Sequence, residues 1–88
     1  MNYYVYILRS KKDSGFYVGM TKNLEDRLGR HNSGRESSTK ARIPFEVVLI
    51  EEVPDRKTAR IREKYWKSGS GREKIRKIMA GRPASEQV

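Results

Sequence analysis

The run Tyr3-Tyr4-Val5-Tyr6-Ile7-Leu8-Arg9 constrains the fold more than any other stretch of the chain. Strand alternation puts Tyr4, Tyr6 and Leu8 on one face and Tyr3, Val5 and Ile7 on the other, so both faces are apolar. Such a strand is expected to be central in its sheet. The chain has 88 residues, too few for two cores, and a core of this size is marginal because a short chain buries a smaller share of its surface. One domain is therefore expected over residues 1–80, with residues 81–88 as a frayed tail.

Residues 10–15 (Ser-Lys-Lys-Asp-Ser-Gly) are polar and rich in turn formers, and Phe16 to Met20 resumes the strand pattern. The pair reads as an antiparallel hairpin in which Tyr17 and Gly19 share a face. Thr21 or Asn23 can cap a helix running to about His31, with Leu24 and Leu28 at helical spacing and Asn32-Ser33-Gly34 as its stop. Residues 35–42 have no apolar period and are expected to form a solvated loop. In the third strand, Phe45 to Val53, the run Val47-Val48-Leu49-Ile50 predicts burial on both faces. Pro54-Asp55 opens a second helix over about 56–67, with Ala59, Ile61, Tyr65 and Trp66 as its apolar positions. Ser68-Gly69 breaks it, and Ser70-x-x-Glu73 has the form of a capping box for a third helix ending near Ala80, with Ile75, Ile78 and Met79 buried. The order β-β-α-β-α-α implies an α+β fold: a three-stranded, mainly antiparallel sheet flanked by helices.

Lys plus Arg number 20 against 11 Asp plus Glu, a formal charge of +9. That excess favours a polyanionic partner, nucleic acid first. No segment approaches the roughly 18 apolar residues of a spanning helix and the start lacks a signal pattern, so a membrane is not expected. With no cysteine there is no disulfide framework, thiolate zinc site or thiol nucleophile, in keeping with a cytoplasmic protein. A monomer is expected.

Two triplets, Tyr4-Val5-Tyr6 and Tyr17-Val18-Gly19, stand a hairpin apart and are followed by Thr21-Lys22-Asn23-Leu24, Arg27-Leu28, His31-Asn32-Ser33-Gly34 and then Ala59 and Glu63 on a later helix. Each triplet alone means little, but in this spacing the set resembles the GIY-YIG nuclease superfamily. The likeness is to short, single-domain members related to the amino-terminal domain of the incision component of the bacterial excision-repair excinuclease. It spans about Asn2 to Ala80. It implies catalytic roles for Tyr6, Tyr17, Arg27 and His31, a metal-binding role for Glu63, and one divalent ion, Mg²⁺ or Mn²⁺. The chain departs from the repair nucleases at Met20, where they carry a lysine.

The residue types suit that chemistry. A lone carboxylate suffices for magnesium, which keeps several waters and takes a further ligand from the substrate phosphate; from spacing alone an ion-paired helical glutamate is the default. Arg27 offers a planar fork for phosphate oxygens, against the plain reading of a solvated helix arginine. Tyr6 or Tyr17 could act as a base only if nearby cations favoured phenolate, because tyrosine ordinarily titrates near pH 10. His31 could relay a proton or simply sit at a helix C-terminus, where the dipole favours it. Gly19 leaves room for a phosphate or water, or marks a bulge. Lys22, Arg30, Lys40, Arg42 and Lys67 are expected to contact the nucleic-acid backbone. The resulting expectation is a metal-dependent endonuclease on nucleic acid, DNA rather than RNA, in repair or processing. The alternative is a nucleic-acid-binding module of the same fold with weak or lost catalysis.

Overall fold

The computed structural model describes residues 2–37 and 39–81; the expected tail beyond Gly81 lies outside them. Three strands, β1 (Tyr3–Ser10), β2 (Phe16–Thr21) and β3 (Phe45–Val53), form an antiparallel sheet in the order β2-β1-β3. β1 is central, as its two apolar faces require. Three helices complete the order β-β-α-β-α-α: α1 (Leu24–Asn32), α2 (Arg56–Lys67) and α3 (Gly69–Ala80).

The two faces of β1 carry two separate cores. Val5, Ile7, Val18 and Val48 pack with Ala59 and Trp66 of α2 and Ile75 of α3. On the opposite face Tyr6, Leu8 and Phe45 pack with Tyr17, Leu24, Leu28 and Ile43. The sheet is thus held between α2 and α3 on one side and α1 with the following loop on the other. No helix among the described residues is long and apolar enough to cross a membrane.

The caps explain where the helices start. Asn23 accepts from the Asp26 N–H and Asp55 from the Thr58 N–H, each meeting a donor the first turn leaves unpaired. For α3 the cap is Ser68, accepting from the Gly71 N–H, and not Ser70. Gly71 sits against the Tyr65 carbonyl and the Trp66 backbone, where any side chain would collide. This close approach lets α3 begin directly after α2, two residues earlier than the Ser70 box predicts.

Three further expectations are corrected. β3 is an edge strand, and its outer positions Val47 and Ile50 are 40% and 42% exposed, so the apolar run is not buried on both faces. Ile61 is 59% exposed, because α2 turns Ala59 and Trp66 inward and Ile61 points away from that stripe. The stretch 35–42 is not wholly solvated either: it includes a 3-10 turn, Lys40–Arg42, and Thr39 in front of it is fully buried.

Candidate active site

The β1–β2 register sets Tyr6 opposite Gly19. Pairing is continuous there, and the irregularity in β1 lies between Ile7 and Leu8, against β3. Gly19 is therefore not a bulge; a Cβ on it would run into the Tyr6 hydroxyl, so glycine makes room for a phenol that crosses to the neighbouring strand.

That hydroxyl meets Nε2 of His31 at 3.0 Å, and Nδ1 of the same ring meets Oγ1 of Thr39 at 2.8 Å. Tyr6, His31 and Thr39 are all buried. Tyr17, half-buried, lays its ring 4.8 Å from the His31 ring and 6.3 Å from that of Tyr6. The Arg27 guanidinium lies near enough to the Tyr6 phenol for its charge to oppose the rise in the phenol's pKa.

Hydrogen-bond direction follows from what each group can do. The Glu36 carbonyl only accepts, so Thr39 donates to it at 3.5 Å and accepts from Nδ1–H of His31, which leaves Nε2 to accept the Tyr6 proton. The electrostatics agree with a neutral chain. Burial pushes the Tyr6 phenol up to about 12, with Tyr17 adding to the rise and Arg27 opposing it. Burial also lowers the His31 pKa, with Glu36 opposing and Arg27 and Arg30 reinforcing, so the ring is neutral at pH 7.

Arg27 also reaches a second region. Between the β2–α1 turn and α2 lies an open depression of about 550 Å³, lined by Met20, Thr21, Lys22 and Arg27 on one side and Arg56, Arg60, Glu63 and Lys67 on the other. Glu63 is the sole carboxylate among five cations in that lining. Its side chain is 15% exposed and is paired with Arg60 at 3.8 Å and Lys67 at 3.4 Å. Among the described residues no three His, Cys, Asp or Glu side chains gather to hold a metal. The donor set therefore suits a hard ion that needs few protein ligands, such as Mg²⁺ or Mn²⁺, and not a fully caged one such as structural zinc.

The structure thus brings Tyr6, Tyr17, His31 and Arg27 together, and Arg27 with Glu63, Lys22 and Lys67. The other expected nucleic-acid contacts lie elsewhere. Arg30 is paired with Glu36 at 2.7 Å and Arg42 with Asp13 at 3.0 Å, while Lys40 is exposed on the 3-10 turn. Sequence reasoning passed over Arg56 and Arg60, although their positions seven and three residues before Glu63 place them on its helix face. It also passed over Thr39, for which a loop offers no periodic signal.

The family model for the GIY-YIG catalytic domain matches residues 2–76. A UPF0213 protein of Bacillus cereus is 36% identical over 70 residues, covering 78% of this chain and 73% of its own. A UPF0213 protein of Clostridium perfringens is 38% identical over 76 residues, covering 85% and 81%. The solution NMR structure of a UPF0213 protein from Bacillus halodurans superposes with a TM-score of 0.57 at 33% identity, across 98% of this chain and 92% of that one. A match that runs from β1 into α3, through both tyrosine strands, Arg27, His31 and Glu63, makes this chain a member of the GIY-YIG domain family and one of its UPF0213 proteins.

Proposed function

We propose that the protein is a metal-dependent endonuclease that hydrolyses phosphodiester bonds in nucleic acid, with DNA its substrate in repair or processing. The observation that carries this reading is the position of Arg27, whose charge acts on the buried Tyr6–His31 pair and which also lines the cationic depression that holds Glu63.

The scissile phosphate lies in the depression, where Lys22, Arg27 and Lys67 meet its oxygens and Arg27 stabilises charge developing in the transition state. Glu63 would hold one Mg²⁺ or Mn²⁺ once the substrate's phosphates draw Arg60 and Lys67 away from it. When bound, the ion would supply Lewis-acid charge for the phosphate. Tyr17, the more accessible phenol, orients the attacking water. With Arg27 engaged by the phosphate, the Tyr6 oxygen takes the water's proton while its own proton passes to Nε2 of His31. Phenolate never accumulates, so a phenol near 12 is no obstacle, and a neutral histidine is the acceptor that the geometry provides.

Incubating the protein with branched, nicked and single-stranded DNA and with RNA, in Mg²⁺ or Mn²⁺, tests this. Cleavage that is lost in Glu63→Gln and Arg27→Ala is the expected result; no cleavage, or cleavage unchanged in both variants, defeats it. The ion pairs on Glu63 favour one other reading, a binding module that has given up catalysis. That reading predicts salt-dependent binding without turnover under every metal.

A further inference from the structure

Beside the proposed site, and sharing Tyr17 and Lys67 with it, lies a cleft whose other lining residues have no part in the chemistry described. It opens between the outer edge of β2 and α3, holds about 390 Å³, and is lined by Phe16, Tyr17 and Trp66 with Lys67, Arg72 and Arg76. We propose that this cleft receives one unpaired nucleobase of the strand being cut, with Arg72 and Arg76 holding the adjoining phosphate. The proposal rests on the nuclease reading and narrows it to substrates that are unpaired next to the cut.

Three observations carry it. The first is composition. Phe16 and Tyr17 line the cleft with half-buried rings above the core residue Trp66, and guanidinium groups rim it, the combination that suits a flat, apolar ring carrying an anion; its volume falls at the small end of the roughly 300–1,000 Å³ usual for ligand pockets.

The second is charge. Arg60, Arg62 and Lys67 of α2 each have a carboxylate partner. Arg72 and Arg76 are exposed and have none among the described residues. Two uncompensated guanidinium groups at one rim are complementary to phosphate and can stack on a base.

The third is continuity. Lys67 lines both this cleft and the Glu63 depression, and Tyr17 lines the cleft while packing on His31. A strand with one phosphate at Arg27 and Glu63 therefore has its neighbouring nucleotide at the cleft mouth. A base still paired and stacked in a duplex cannot enter, because its partner and neighbours would have to follow. The strand must be single, flapped or extruded at that point.

The test is binding without cleavage, using full-length Glu63→Gln in EDTA and oligonucleotides carrying 2-aminopurine at successive positions. One position should change its fluorescence on binding, and an abasic site there should weaken binding about 10-fold, the scale of one lost base stack. In the same background Arg72→Ala/Arg76→Ala should lose about 10-fold on single-stranded DNA and under about 3-fold on a fully paired duplex of equal length. Equal losses on both, an abasic site without effect at any position, or no binding at all would overturn the proposal. If the binding results hold while the wild type cuts nothing in Mg²⁺ or Mn²⁺, the cleft stands as a nucleobase site and the nuclease reading falls.

Discussion

The two regions that meet at Arg27 are built on opposite plans. Behind it, Tyr6, His31 and Thr39 form a buried, neutral chain linked by hydrogen bonds of 2.8 to 3.0 Å. In front of it, five cations surround one carboxylate in an open depression, with contacts of 3.4 and 3.8 Å that solvent can replace. The difference teaches how labour is divided in such a site. A buried hydrogen-bonded chain has one arrangement and suits proton handling, because leaving any member unpaired is costly. An exposed cluster of like charges is held weakly and suits a polyanion, which gains by entering where the protein's own charges repel one another.

The largest effect should come from the open side. Glu63→Gln should lower cleavage by at least about 100-fold while leaving the fold intact, since it removes the ion's protein ligand and two ion pairs whose cations are half exposed, and keeps the shape of the side chain. Rates measured beside thermal melts check this, and a melt that drops with activity would blur the contrast. Next comes the buried side. Tyr6→Phe should cut the rate about 100-fold or more, the usual scale for a proton-transfer group, and also destabilise by about 1–3 kcal/mol because Nε2 of His31 loses its partner. Combined with His31→Gln it should be little worse than either alone if the two act as a unit, which a double-mutant cycle reads directly.

Thr39→Val sharpens the comparison further. It keeps the shape but removes the acceptor for Nδ1, so it should cost about 1–3 kcal/mol and shift the His31 tautomer, visible in the ¹⁵N shifts of the ring. Thr39→Ser should restore the wild-type tautomer.

What the sequence disclosed follows the same division. The central position of β1 could be read because alternation reports burial directly, and α2 could be read because Asp55 marks its start. Glu63 with Arg60 and Lys67 was implicit in helical spacing, since three and four residues apart means one face. The rest depends on contacts far apart in the chain. Thr39 reaches His31 from a stretch without periodicity, Gly19 is explained only by a phenol on the next strand, and α3 begins at Ser68 because Gly71 packs on the Trp66 backbone. Edge position misled the reading of β3, because a run of branched residues looks the same whether its outer face is covered or wet.

The smallest effect is in pH. His31 has its folded-state pKa held below the unfolded value of about 6.5 by burial, so the folded state resists protonating it. Its contribution to stability is complete above that value and is lost as pH falls toward the folded pKa. The titratable and charged groups facing it are Tyr6, Tyr17, Arg27, Arg30 and Glu36. Thermal stability should therefore decline gently as pH falls below about 6.5, and His31→Gln should flatten the decline.

The most direct test is a single-turnover comparison of wild type, Tyr6→Phe and Arg27→Ala on one labelled oligonucleotide in Mn²⁺. If Arg27 joins the two regions, the wild type cuts, Tyr6→Phe binds normally but cuts at least about 100-fold more slowly, and Arg27→Ala loses both binding and cutting. Cutting at the wild-type rate by either variant would show that the buried chain and the charged depression are not one site.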